Sequence, residues 1–157
     1  MDLQVINHQY RCKYFKIEEL VHPDLLKEIP EDILWSMFDT RLLMVADYLR
    51  EEYGPIFVNS RGLINCGLRP INSKVGAKYS AHKYGRALDL HICSIEDKNS
   101  TKEEKIKFYN KVRENFLIEE DVMFEKDDIV NRCVNFEDNI SWLHIDTYNR
   151  VNKFFKG

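Results

Sequence analysis

Two histidines and one aspartate are the residues of this chain whose types and spacing are best suited to chemistry. His82 and Asp89 lie in the segment Ser80–Asp89, and His144 lies in the later segment Trp142–Asp146. Catalytic zinc commonly takes three protein ligands from histidine, aspartate and glutamate and keeps a fourth position for water. His82, Asp89 and His144 therefore form a candidate zinc site. A metal with an open position for water is typical of hydrolytic enzymes.

The segments that carry these residues are predicted to be two strands and a loop. Residues 87–93 have the apolar pattern of a buried strand, which would hold Asp89 on a rigid element. His82 precedes that strand in a polar, glycine-containing stretch that is typical of a loop. Residues 141–148 alternate between polar and apolar as a second strand would, with His144 on the polar face. Two neighbouring strands and a loop could thus converge on one metal.

The remaining elements favour an α+β fold. A helix is predicted from Pro30 to Tyr53, and a second helix is predicted to begin at the capping-box pattern Ser100–Glu103. A turn at 138–139 is expected to join the last two strands as a hairpin. Further strands are predicted at residues 56–59, 122–124 and 129–137. We therefore expect one domain over residues 1–157, with a mainly antiparallel sheet flanked by helices.

Composition narrows the range of partners. The 157 residues include 23 basic and 26 acidic side chains, which gives a net charge of −3. The sequence therefore lacks the excess of basic residues that is typical of nucleic-acid-binding proteins. We find no apolar run that suits a membrane span or a signal peptide, which predicts synthesis in the cytoplasm. The four cysteines are far apart and form no CxxC pair, which excludes a zinc knuckle built from such pairs. The expected partner is a small or peptidic substrate, and the oligomeric state is left open.

Two motifs resemble those of the D-alanyl-D-alanine carboxypeptidase-like zinc peptidases. This family includes phage L-alanyl-D-glutamate endopeptidases, vancomycin-resistance D,D-dipeptidases and, by fold, the hedgehog signalling domain. Its pattern SxHxxGxAxD is complete from Ser80 to Asp89, and its WxHxD pattern is complete from Trp142 to Asp146. Residues 14–20 resemble the opening of the phage members, and residues 75–79 resemble their glycine-rich approach to the first histidine.

The resemblance implies a hedgehog-like or DD-peptidase-like fold with zinc held by His82, Asp89 and His144. It also implies a substrate, namely a peptidoglycan stem or cross-bridge peptide that contains D-amino acids, cut by a carboxypeptidase or an endopeptidase. Arg69 is the closest counterpart of the family arginine that holds a substrate carboxylate or stabilises the oxyanion, a task that suits a guanidinium. Action at the cell wall would then need delivery by a lysis pore or a virion.

One position departs from the family pattern. Many members carry their catalytic acid or base three residues before the last histidine, where this chain has Ser141. Serine does not accept a proton near neutral pH, so we expect another carboxylate to be the general base, with Glu137 favoured over Asp138. Asp146 is expected to support His144 rather than to react. The alternative is a non-catalytic zinc module, a structural, cell-wall or virion component that kept the fold and lost its base.

Overall fold

The computed structural model describes residues 9–123, 134–148 and 154–156 of the chain. The helices are α1 (Ile17–Leu20), α2 (Pro23–Glu28), α3 (Glu31–Ser36), α4 (Thr40–Tyr53), α5 (Cys93–Glu96) and α6 (Lys102–Met123). The strands are β1 (Ile56–Phe57), β2 (Ala87–Ile92), β3 (Asn135–Glu137), β4 (Leu143–Asp146) and β5 (Phe154–Phe155). A single turn of 3₁₀ helix, Ala81–Tyr84, precedes β2. Within the described ranges, no helix combines the length and the apolar character that a membrane span needs.

The five strands form one sheet in the order β1-β2-β4-β3-β5. All neighbouring strands are antiparallel except β3 and β5, which are parallel. In the central pair, Asp89 of β2 lies opposite His144 of β4. The predicted α+β fold with a mainly antiparallel sheet is therefore confirmed, and its centre carries two of the three predicted ligands.

The two faces of the sheet differ because side chains alternate along each strand. One face is apolar: Leu88 lies opposite Ile145, and both are fully buried. Phe136 of β3 shares this face and packs edge-on against Phe116 of α6, with ring centroids 5.3 Å apart. Burying side chains of this size contributes about 1.5–3 kcal/mol each. The other face carries Asp89 and the polar residues of β3 and β4, so packing of the apolar face fixes the site in place.

The prediction of one helix from Pro30 to Tyr53 is wrong, because the structure has two helices with a break between them. The Asp39 side chain caps α4 by accepting a 3.0 Å hydrogen bond from the backbone N–H of Arg41. The backbone N–H of Asp39 donates to the carbonyl oxygen of Gly85 at 3.0 Å. The break therefore lets the chain before α4 touch the turn that holds His82, a contact that helical periodicity does not reveal.

The start and the end of α6 also differ from prediction. The capping box is formed by Thr101 and Glu104, one residue later than expected: Thr101 N–H donates to Glu104 at 2.7 Å, and Glu104 N–H donates to the Thr101 hydroxyl at 3.2 Å. The predicted strand at 122–124 is wrong for residues 122 and 123, which end α6. Residues 111–123 are rich in strong helix formers, which explains why the helix continues. Phe124 lies outside the described residues.

The other predicted strands are present with shorter bounds. The predicted strand at 129–137 is observed over Asn135–Glu137, and its residues 129–133 lie outside the described ranges. The predicted turn at 138–139 is confirmed, with Asn139 at φ 57° and its N–H bonded to the Asp138 carboxylate at 3.0 Å. The predicted strands at 56–59, 87–93 and 141–148 are observed as β1, β2 and β4.

Candidate metal centre

His82 is held by the 3₁₀ turn rather than by the open loop that the sequence predicted. Its ring is buried, and Nδ1 lies 3.0 Å from the carbonyl oxygen of Gly67. A carbonyl oxygen only accepts, so Nδ1 donates the hydrogen bond. This orientation turns Nε2 toward Asp89, whose Oδ2 lies 3.4 Å away. The backbone carbonyl of His82 accepts from the N–H of Arg69 at 3.1 Å, which ties the turn to the neighbouring loop.

Asp89 and His144 face each other across β2 and β4. His144 Nδ1 lies 2.7 Å from Asp89 Oδ1, the length of a strong charge-assisted hydrogen bond. The backbone N–H of Asp89 donates to the carbonyl of Cys66 at 2.8 Å. The sheet register therefore directs both side chains toward the same position. The hydrogen bond between Asp89 and Cys66 holds the loop before His82 next to that position.

Asp146 orients His144 from the side away from Asp89. Its Oδ2 lies 3.4 Å from His144 Nε2, and its Oδ1 accepts from the amide of Asn135 at 2.8 Å and from the N–H of Tyr148 at 3.1 Å. Asp146 is fully buried, so these contacts replace its hydration. As predicted from sequence, Asp146 supports His144. Partners of this kind fix which ring nitrogen of a histidine faces a metal.

The three side chains fit a metal ion. His82, Asp89 and His144 each offer one ligand atom, and these atoms lie within 4.8 Å of one another, the one such group among the described residues. Zinc bonds of about 2.0–2.2 Å in a tetrahedron imply ligand atoms roughly 3.3–3.6 Å apart. The 3.4 Å between His82 Nε2 and Asp89 Oδ2 matches that edge. The group can therefore hold a metal ion.

The site is strongly charged. Burial opposes ionisation of Asp89, but the hydrogen bonds from His144 and His82 outweigh it and hold the pKa of that carboxyl well below its usual range. Burial also opposes protonation of His144, yet its hydrogen bonds to Asp146 and Asp89 prevail and raise its pKa to about 9. Without a metal, His144 is therefore an imidazolium between two carboxylates at neutral pH.

Metal binding should release this proton. A raised pKa means that Nδ1 of His144 carries its proton at pH 7, and a metal needs that lone pair. We expect release of about one proton per metal at pH 7, falling toward zero above pH 9. Calorimetric titration with zinc in buffers of different ionisation enthalpy measures this number. A release that does not change between pH 7 and pH 10 would contradict the charge state of His144.

The Asp146→Asn variant should weaken metal binding about 10- to 100-fold. Its remaining oxygen would keep the bonds from Asn135 and Tyr148, so its amide N–H would face His144 Nε2 and move the ring proton to the metal-facing Nδ1. Competition with a chromophoric zinc chelator measures the affinity. Asp47→Asn is the matched control, because Asp47 is a buried carboxylate that binds the N–H groups of residues 13 and 14. An unchanged zinc affinity in Asp146→Asn would exclude the orienting role.

Arg69 lies beside the cluster, where the sequence predicted a substrate-binding arginine. Its Nε donates to the carbonyl of Asn65 at 2.5 Å, and Nη1 lies 3.5 Å from the carbonyl of Val75. Nη2 lies 3.6 Å from Asp89 Oδ2, which is an ion pair but too long for a hydrogen bond. Burial lowers the pKa of the guanidinium, and the Asp89 charge opposes that shift. Arg69 is thus a fixed positive charge next to the ligands.

Glu137 and Asp138 lie at the end of β3 near the turn. Glu137 shares its sheet face with Asn135, whose amide binds Asp146, and it is level with His144 because Phe136 lies opposite Ile145. The Asp138 carboxylate instead accepts bonds of 3.0 and 3.1 Å within the turn, from the backbone and side chain of residue 139. Neither acid belongs to the metal-ligand group. The assignment of the general base to Glu137 or Asp138 stays a prediction.

Asp89 and Arg69 line an open cleft of about 310 Å³. The same cleft is lined by the exposed apolar side chains of Leu63 and Ile64, together with Trp142. Sequence reasoning did not assign Leu63 and Ile64, which it placed only in a long loop between β1 and the first histidine. The cleft has the size and mixed lining of a small-molecule or peptide site.

No protein-family model, curated protein or solved structure matches this chain. The likeness to the D-alanyl-D-alanine carboxypeptidase-like peptidases therefore stays a prediction from two motifs. The structure adds that both motifs meet in one group of potential ligands. The function is inferred from this geometry together with the motif resemblance.

Proposed function

We propose that the protein is a zinc-dependent peptidase that hydrolyses peptidoglycan peptides containing D-amino acids. The observation that carries the proposal is the convergence of His82, Asp89 and His144 beside Arg69, with Asp89 and Arg69 also lining an open cleft. This arrangement combines a metal site, a fixed positive charge and a cleft of about 310 Å³. The choice of a stem or cross-bridge peptide as substrate rests on the motif resemblance.

The donor set supports zinc as the metal. Two imidazole nitrogens and one carboxylate suit zinc, whereas magnesium and calcium prefer oxygen ligands. His82 would bind through Nε2 and His144 through Nδ1, because Gly67 and Asp146 occupy the other ring nitrogens. When bound, zinc supplies Lewis acidity that polarises a carbonyl and acidifies water.

Arg69 binds the negative charge of the substrate or of the tetrahedral intermediate in this proposal. Two of its nitrogens are anchored by the carbonyls of Asn65 and Val75, which fixes the plane of the guanidinium. Nη2 makes no hydrogen bond to Asp89 at 3.6 Å, so its donors remain for a ligand. A preorganised donor next to a reacting carbonyl stabilises charge as it develops.

Glu137 acts as the general base and returns the proton to the leaving amine. Its position on the polar sheet face, level with His144, supports this role. The Asp138 carboxylate is already committed to hydrogen bonds in the turn. Glu137 is therefore the better candidate of the two acids.

A non-catalytic zinc module is the second candidate, and Ser141 is the observation that favours it. Serine occupies the position where many members of the resembling family carry their acid or base. In this alternative, the chain keeps the metal and the fold as a structural, cell-wall or virion component. The two candidates share the metal site and differ only in turnover.

Metal content and peptidoglycan hydrolysis test both candidates together. We expect one zinc per chain by elemental analysis, with cleavage that stops on chelation and returns when zinc is added back. Zinc without cleavage would support the non-catalytic module. A chain that holds no zinc, or that cleaves equally well after chelation, would overturn both candidates.

A further inference from the structure

Most residues that line the cleft belong to a chain segment that is free of acids. The 36 residues from Tyr53 to Leu88 contain six lysine or arginine residues and no aspartate or glutamate. A segment of that length would carry about six acids at the average density of the chain, which has 26 acids in 157 residues. The next acid along the chain is the candidate ligand Asp89. A positive segment thus carries the candidate ligand His82 and lines the cleft beside Asp89, in a molecule of net charge −3.

This segment is packed onto the site rather than extended away from it. The carbonyl of Val75 lies 3.5 Å from Nη1 of Arg69, and Gly76 approaches the same atom so closely that an added Cβ would lie 2.9 Å from it. Gly76 has φ +77°, which suits glycine. Lys74 and Lys78 lie on either side of this contact. The backbone between the two lysines is therefore held beside the arginine that pairs with Asp89, and Nζ of Lys78 lies 5.2 Å from the centroid of the Tyr79 ring.

The cations of the segment differ in their availability. Arg61 is paired with Asp97, and Lys83 is buried. Lys74, Lys78 and Arg86 are exposed, and none of them forms an ion pair with an acid of the described ranges. Exposed apolar side chains lie next to the lysines in the same loop, namely Ile71, Val75 and Tyr79. The loop thus offers positive charge and apolar contact together.

We propose that the substrate of this site is an acidic peptide, whose carboxylates are bound by Lys74 and Lys78 while Arg69 holds the group beside the metal. This inference rests on the proposed function, because it takes the metal cluster as the place where the peptide is cut. Exposed charge pairs are weak singly, but a surface of one sign steers an oppositely charged ligand to the site. The acidic remainder of the chain repels the same ligand, so the segment also sets its orientation.

The test compares the Lys74→Gln, Lys78→Gln double variant with Lys107→Gln, Lys111→Gln. Lys107 and Lys111 are exposed on α6, so both double variants remove two positive charges. The probes are fluorescein-labelled Ala-Glu-Ala-Glu-Ala and its counterpart with glutamine in place of glutamate. Binding is followed by anisotropy, with zinc-loaded protein and again with chelator present. The chelator series removes direct binding of carboxylates to the metal.

We expect the parent chain to bind the acidic peptide about 10-fold more tightly than the amide peptide, with the preference weakened by 0.5 M salt. Loss of Lys74 and Lys78 should weaken binding of the acidic peptide about five-fold and leave the amide peptide unchanged. The α6 variant should bind as the parent does. Equal affinity for both peptides, or an unaffected Lys74→Gln, Lys78→Gln variant, would overturn the inference.

Three further outcomes bear on this inference, and the last two separate it from the proposed function. If the lysines are needed for binding of phosphatidylglycerol vesicles but not of the acidic peptide, the surface recognises a membrane and the inference is wrong. A chain that binds the acidic peptide through these lysines but cleaves no peptide keeps the binding surface and loses both the peptidase and the role of the peptide as its substrate. A chain that cleaves acidic and neutral peptides equally well keeps the peptidase and loses the inference.

Discussion

We expect the Glu137→Gln variant to hydrolyse peptide at least about 100-fold more slowly than the parent chain while it keeps its metal. Glutamine has nearly the shape of glutamate but accepts no proton, so the change removes the base and leaves the sheet intact. Glu137 does not belong to the ligand group, so the zinc content should not change. Initial rates on purified peptidoglycan, measured beside elemental analysis of the same samples, give both quantities.

Asp138→Asn is the matched control for Glu137→Gln. Its carboxylate accepts hydrogen bonds within the turn that joins β3 and β4, and its charge also acts on buried Arg113. Neither interaction involves a candidate metal ligand, so we expect a rate within about two-fold of the parent. An inactive Asp138→Asn beside an active Glu137→Gln would make Asp138 the base. Two active variants would exclude both acids, and loss of zinc in Glu137→Gln would show that its role is structural.

The candidate ligands could be predicted because their chemistry is local. Three residues of types that bind zinc lie in short segments, two of which have strand-like patterns, and antiparallel pairing then places Asp89 opposite His144. Asp146 could be predicted as a partner of His144 because residues two apart share one face of a strand. In each case the sequence pattern repeats every two residues, as side chains do along a β-strand.

What could not be predicted depends on contacts between distant parts of the chain. The ring of His82 is oriented by the backbone carbonyl of Gly67, and a backbone contact of this kind leaves no pattern in the sequence. The break before α4 depends on the hydrogen bond from Asp39 to the carbonyl of Gly85, which helical periodicity does not encode. The packing of Val75 on Arg69 is likewise a backbone contact. Sequence patterns predicted the candidate ligands, and such backbone contacts determine where each of their side chains points.

Gly85→Ala should lower the free energy of unfolding by at least about 3 kcal/mol. Gly85 ends the 3₁₀ turn at φ +64°, a region that side chains disfavour, and an added Cβ would lie 1.9 Å from the carbonyl oxygen of Met37. Moving the backbone of Gly85 away from Met37 would stretch the hydrogen bond from Asp39 to Gly85, so the collision cannot be relieved without weakening that bond. Urea unfolding of the metal-free chain measures the loss.

Gly54→Ala separates the collision from the backbone strain. Gly54 has φ +78° and ψ −152°, a region that glycine alone adopts readily, but an added Cβ would meet nothing within 4 Å, so we expect a loss of about 1–3 kcal/mol from backbone strain alone. His82 lies in the turn that Gly85 ends, so Gly85→Ala should also weaken zinc binding, whereas Gly54→Ala should not. Equal losses of stability in the two variants would mean that the contact with Met37 does not hold the turn. Unchanged zinc affinity in a destabilised Gly85→Ala chain would mean that His82 keeps its position without that contact.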